Sequence, residues 1–216
     1  MFNSIRETIT RNFRDLKLWV SNIPDVQNGT DFQTACYGLF FVYIYGMYEE
    51  IIRTIISTTI SKLNESSVNI EKCIYELYPL VFSPEYDSLY AVGNEHKWEK
   101  RWEISNKFIQ NPAIQLSSEL FPTDGRNLRI RQLESLRRSF GISDNVLPRP
   151  EIGGYIREMV DNRNDIAHGN KLPKEVGRAF TKQDLLNRCD YISEICTYIC
   201  GVYESYILNG KYIRQS

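Results

Sequence analysis

Apolar residues recur at helical spacing along most of the chain. Ile5, Ile9, Phe13 and Leu16 stand four, four and three apart, which predicts a first helix that stops near Asn22-Ile23-Pro24. An Asn28-Gly29 turn follows. Thr30-Asp31-Phe32-Gln33 then has the form of a capping box, and the apolar stretch behind it runs through Tyr48, Ile51, Ile52, Ile55 and Ile56. This should be the longest, central helix. The β-branched residues from Ile51 to Ile60 would suit a strand, but the helical period around them keeps them helical. Gly38 and Gly46 inside this helix each cost roughly 1 kcal/mol relative to alanine, which close approach of another backbone would offset.

From Asn64 to Ser88 the pattern weakens, with Ser66-Ser67, Pro79 and Ser83-Pro84 punctuating a short helix around Ile70 to Leu77. Residues 64–125 read as an insertion or irregular connection. Between Glu95 and Gln110, Trp98, Trp102 and Phe108 interleave with Lys97, Lys100, Arg101 and Lys107. Such a mixture would suit a surface for single-stranded RNA. The commoner origin is an amphipathic helix with its tryptophans in the core, and that is the expectation here. Asp124-Gly125 predicts a turn into a helix marked by Leu128, Leu133, Leu136 and Phe140 and ended by Gly141. Leu147-Pro148-Arg149-Pro150 interrupts helix. Tyr155, Ile156, Met159 and Val160 open the next helix, which continues through Ile166 and Ala167 to Gly169. The last helix opens at Thr181-Lys182-Gln183-Asp184 and places Leu185, Cys189, Ile192, Cys196, Ile199, Tyr203 and Tyr206 on one stripe. The expected fold is all-α, one helical domain over residues 1–216.

A chain of 216 residues with 42% hydrophobic content can build one core of ordinary size. Its net charge of −1 excludes a generally basic nucleic-acid coat, so any such contact needs a local patch. Arg126, Arg129, Arg131, Arg137 and Arg138 supply a candidate, although a solvated charged face is the commoner role for such a cluster. The stretch Ala35 to Met47 is too short to span a bilayer and carries tyrosines, so no membrane association is expected. Five cysteines form an odd set without a C-x-x-C pair, and the N-terminal MFNSIRETITRNF has no apolar signal core. Reduced thiols and a cytoplasmic location fit this best. Cys196 and Cys200 share a helix face, but the chain offers too few further Cys or His for a metal cluster, and they are expected in the core.

The chemistry concentrates in Asp161-Asn162-Arg163-Asn164-Asp165-Ile166-Ala167-His168-Gly169, which crowds polar groups near a helix end. Asn164 and His168 are one turn apart and share a face, whereas Arg163 and His168 point about 140° apart on an ideal helix. Either the helix ends there, or a second copy completes a composite cleft. An exposed helix end, with Arg163 paired to Asp161 or another acid and His168 as the cap, would use the same residues without chemistry.

The segment RNDIAHG, late in the chain and just before a final long helix, resembles the signature of the HEPN family: Arg, a polar residue, variable residues, then His, with a small residue and glycine nearby. Tyr45-Gly46-Met47-Tyr48-Glu49-Glu50 is similar to the aromatic-plus-acid motif in early helices of several HEPN subfamilies. The resemblance implies a helical bundle and a metal-independent, cofactor-free endoribonuclease that cleaves RNA by 2′-hydroxyl attack. Arg163 would bind the scissile phosphate, and His168 would act as base or acid. Asn164 would orient His168 or contact phosphate, with Glu49 and Asp165 in support. The resemblance also implies a homodimer and a setting in toxin-antitoxin or phage-defence systems with a partner protein; the RNDIAHG helix and the last helix are the candidates for the dimer interface, although burial within one subunit is an equally economical use of the last helix. Some HEPN toxins carry Tyr two residues after the His as a target for nucleotidylation by an antitoxin; Asn170 stands there in this chain. The alternative is a non-catalytic HEPN-like module that binds RNA or a partner protein.

Overall fold

A computed structural model describes residues 2–24, 30–117, 119–121 and 127–215. The expected turns at Asn28-Gly29 and Asp124-Gly125, and Arg126, lie outside the described residues. Helix α1 is Phe2–Asn22 and α2, the longest, is Asp31–Glu65. Short helices α3 (Tyr78–Val81) and α4 (Ser83–Ala91) precede α5 (Lys97–Gln110), with 3-10 turns at Ile70–Lys72, Tyr75–Leu77 and Asn94–His96. Then come α6 (Ile130–Ser139), α7 (Ile152–Ala167), α8 (Pro173–Gly177) and α9 (Lys182–Leu208). The protein is all-α; among the described residues the only extended pairings are isolated bridges, Asn69 with Ala113 and Cys73 with Ile213.

The predicted stripes bury as read. Phe2, Ile5, Ile9, Phe13, Leu16 and Val20 of α1 pack inward, as do Leu185, Cys189, Ile192, Cys196, Ile199, Tyr203 and Tyr206 of α9. Together with the apolar face of α2 they form one continuous cluster. Helices α1 and α9 run antiparallel, since Arg6 pairs with Glu204 and Lys17 with Asp190. Helices α7 and α9 are antiparallel too: Tyr155 stacks on Tyr191 at 4.1 Å, and Arg188 grips Glu158 through two hydrogen bonds of 2.6 and 2.9 Å. Both long helices are capped as their sequences suggest. Thr30 Oγ1 accepts the Gln33 N–H, and Thr181 and Asp184 exchange side-chain-to-backbone bonds.

The sequence pattern did not reveal α8. Pro173 fits its first turn, and the Leu172 N–H donates to Glu175 Oε2 at 2.7 Å. Its five residues lie against α2 backbone to backbone. A Cβ on Gly177 would come within 1.8 Å of the Thr34 carbonyl oxygen, and one on Gly38 within 2.0 Å of the Pro173 carbonyl oxygen. Close approach therefore explains Gly38. It does not explain Gly46, which is exposed with nothing within 4 Å of its missing Cβ.

Between α2 and α6 the chain leaves the bundle and returns along α2. Prolines Pro79 and Pro84 stand at helix starts, where a missing N–H costs nothing, so α3 and α4 form where an interruption was expected. The return strand is tied to the end of α2: the Ile114 N–H donates to Val68 O at 2.8 Å, and Asn64 bonds Leu116 in both directions. It then passes Arg53, whose guanidinium stacks on Phe121 at 4.4 Å, and reaches Tyr45 with Asn127 and Leu128. One expectation is overturned here. Trp98 and Trp102 are not in the core; α4 and α5 bury no residue at all, and both tryptophans face outward.

The glycine geometry sets opposite expectations for one substitution type. Gly177→Ala must separate α8 from α2 and should cost about 1–3 kcal/mol, lowering the melting midpoint by several degrees. Gly46→Ala should raise it slightly, since alanine gains about 0.5–1 kcal/mol in an exposed helix interior. Calorimetry of the two variants checks both signs.

Candidate functional site

Helix α7 carries the RNDIAHG segment to its own end. The Gly169 N–H donates to Ile166 O and the Asn170 N–H to Asp165 O, with Gly169 at φ +71°, which is the Schellman arrangement. His168 is the residue at which the helix stops, and it is exposed. Gly169 makes this sharp ending possible, because a side chain there would strain the left-handed backbone.

One turn earlier, Arg163 is half-buried and held from three sides. Its Nη1 donates to Asn164 Oδ1 at 2.9 Å and to Asn127 Oδ1 at 3.4 Å, and its guanidinium lies 4.9 Å over the Tyr45 ring. Asn127 Nδ2 in turn donates to Asn164 Oδ1 at 3.1 Å, and the Leu128 N–H donates to the Tyr45 hydroxyl oxygen at 3.1 Å. Among the described residues no carboxylate lies within ion-pair distance of Arg163. The nearby acids are engaged elsewhere: Asp161 with Arg129 at 2.6 Å, Asp165 with Lys171 at 2.7 Å, and Glu49 with Arg53 at 3.4 Å.

The predicted residues thus divide. Arg163 and Asn164 are joined directly, but the Asn164 side chain serves Arg163 and Asn127 while only its backbone carbonyl accepts the His168 N–H, at 2.9 Å. Glu49 reaches the site through Tyr45, one turn back on α2. Burial pushes the Tyr45 hydroxyl above its ordinary pKa, with the Glu49 charge adding to the rise and Arg163 opposing it. Asp165 faces the segment beyond α7, where its hydrogen bond with Lys171 holds its carboxyl below the ordinary range.

The arginines of α6 do not make one face. Arg129 is neutralised by Asp161, and Arg137 is half-buried with its Nη1 donating to the Ile142 carbonyl at 2.9 Å, so it fastens the helix end. Arg131 and Arg138 share an exposed face with Glu134 between them. Asn127 and Tyr45 are the site residues the motif did not identify. Tyr45 stood inside the quoted aromatic motif, whereas Asn127 carried no signal of its own.

The cysteines point away from thiol chemistry. Cys189, Cys196 and Cys200 are buried in the α9 stripe, and burial raises all three, Cys189 to about 12, so little thiolate exists near neutral pH. No described helix is long and apolar enough to cross a membrane.

No curated protein and no solved structure matches the chain. A family model does: RiboL-PSP-HEPN matches residues 7–205, from the first turns of α1 to the last of α9. The match spans the whole bundle and both motifs on which the resemblance rested, and the chain belongs to the HEPN family.

Proposed function

We propose that this protein is a metal-independent endoribonuclease. The observation that carries the reading is Arg163: a guanidinium fixed by two amide oxygens and an aromatic face, left without a carboxylate, one turn from an exposed histidine at a helix end. HEPN domains are generally associated with RNA and nuclease activity, which agrees with such a site.

The chemistry assigned to it is transesterification within the RNA. A ribose 2′-oxygen attacks the adjacent phosphorus, its proton passing to an imidazole nitrogen, while the bond from phosphorus to the 5′-oxygen breaks and that oxygen takes up a proton. The products are a 2′,3′-cyclic phosphate and a 5′-hydroxyl, and DNA is spared because it has no 2′-hydroxyl. Arg163 stabilises the charge on the phosphoryl oxygens, needing little reorganisation because its position is already fixed. Asn164, Asn127 and Tyr45 are positioning residues for Arg163.

The reaction uses both a base and an acid, and each chain brings one histidine to the site, so we assign the second to another copy in a homodimer. The last helix is a poor interface because its apolar stripe is spent inside the subunit. The exposed apolar line Leu39, Val42 and Tyr43 on α2 is better placed. Val42 lies two turns from Glu49 on the same face, so this line leads into the site. A toxin-antitoxin or phage-defence role, with a partner protein restraining the activity, is the setting we propose.

Wild type incubated with cellular RNA in EDTA should generate cyclic-phosphate ends, while Arg163→Ala and His168→Ala fall by roughly a hundredfold or more with unchanged folding. Equal cleavage by all three proteins would sink the reading, and intact RNA with wild type would favour a binding module. Asn164→Ala, which loosens Arg163 without removing it, should cost about tenfold. Tyr43→Glu should shift the sedimenting species from dimer to monomer; a dimer that survives it would move the interface elsewhere.

A further inference from the structure

The excursion between α2 and α6 carries a surface that the proposed chemistry does not use. Helices α4 and α5 form a hairpin with no buried residue, yet it displays Tyr86, Tyr90, Trp98 and Trp102, of which Tyr90 is 94%, Trp98 66% and Trp102 64% exposed. The rings stand one turn apart on each helix, Tyr86 with Tyr90 and Trp98 with Trp102. A groove between the two helices is lined by Tyr86, Leu89, Tyr90, Lys97 and Arg101. Tyr86 lies 6.3 Å from the ring of the core residue Phe82, but Tyr90, Trp98 and Trp102 bury nothing in the core, so stability does not account for them. Large aromatic patches of this kind mark binding surfaces.

The charges narrow the occupant. Of the hairpin acids, Glu85 pairs with Lys107 at 2.6 Å and Glu103 with Lys100 at 2.7 Å, Glu99 lies at hydrogen-bond distance from His96 at 3.0 Å, and Glu95 and Asp87 are exposed. Lys97 and Arg101, the two cations of the groove, have no carboxylate within ion-pair distance among the described residues. Arg101 lies 4.7 Å over the Trp98 ring. Lysine is depleted at protein interfaces, whereas here Lys97 lines the groove with Arg101 beside Tyr86 and Tyr90. Flat rings at one-turn steps beside two free cations match bases and phosphates of an unpaired strand.

We infer that the α4–α5 hairpin is a second RNA contact, a stacking platform for single-stranded RNA outside the cleavage site. This rests on the proposed ribonuclease reading and names its substrate class: RNA with an unpaired stretch at a distance from the scissile bond. The hairpin is clamped beside the C-terminal end of α2, where Asn69 Nδ2 donates to Asn111 O at 2.7 Å and the Glu71 N–H to Asn111 Oδ1 at 3.0 Å. Tyr45 lies about 30 Å back along that helix at 1.5 Å per residue, so a strand touching both sites spans several nucleotides.

Binding is measured without cleavage in the full chain carrying His168→Ala, with a labelled, unstructured oligouridylate as probe. Two of the protein's three tryptophans lie on the platform, so binding should quench their fluorescence directly. Adding Trp98→Ala with Trp102→Ala, or Lys97→Ala with Arg101→Ala, should weaken affinity roughly tenfold with no loss of thermal stability, and the second pair should also flatten the salt dependence. The platform is overturned if the oligonucleotide binds these variants as tightly as the parent, if tryptophan emission ignores it, or if the rings instead govern self-association. Cyclic-phosphate ends formed by the hairpin variants with His168 restored report on the cleavage site alone, so either reading can fail without the other.

Discussion

Helix α2 holds four partners, α1, α7, α8 and α9, and the closest of these contacts, with α8, depends on the absence of two side chains. Gly38 and Gly177 allow α8 to rest on α2 at backbone distance, closer than any alanine permits. That contact is flanked by Asp31, which binds Lys174 and Arg178, and by Phe180, which lies 4.7 Å from Phe41 and under the guanidinium of Arg188. Because α8 begins five residues after His168, its seat on α2 fixes where the chain must turn as α7 ends. The position of the exposed histidine is thus decided by packing at a distance from it.

A second constraint is electrostatic. Two acids, Asp161 and Asp165, stand two residues to either side of Arg163, a spacing that turns each of them away from it on the helix. Each binds a different cation, Arg129 just ahead of α6 and Lys171 beyond the Schellman turn. What remains around Arg163 is neutral: two amides and a ring. Neutral acceptors hold a guanidinium in place without cancelling its field, which is the condition for attracting an anion from solution. The same residues with Arg163 paired to Asp161 would have been an inert helix end.

Much of this was legible in the sequence, because the long helices bury a stripe along their whole length and a stripe leaves a period. The four-three spacing of α1 and α9 and the caps at Thr30 and Thr181 read directly. Helix α8 was missed because five residues are too few for periodicity, although Pro173 and Glu175 were its local signals. The tryptophans of α5 were misplaced for a different reason. Spacing of four identifies a helix face, but whether that face meets a core depends on what lies across from it, and α5 meets α4 and, at its end, Tyr78 and Phe82 through Phe108 and Lys107, leaving the tryptophans outward. Asn127 was invisible because its partners, Tyr45 and Arg163, are far away in sequence. The RNDIAHG motif located the site, while the support beneath it came from the return of the excursion to α2.

That excursion is joined to the bundle at its base and contributes nothing buried from Ser83 to Gln110. Lengthening, shortening or exchanging those residues would leave the asparagine clamp, the core and the arginine pocket in place. Substitutions in the hairpin can therefore alter its surface without disturbing the core. The hairpin surface is thus the part of the molecule that can change with the least effect on the bundle that carries Arg163 and His168.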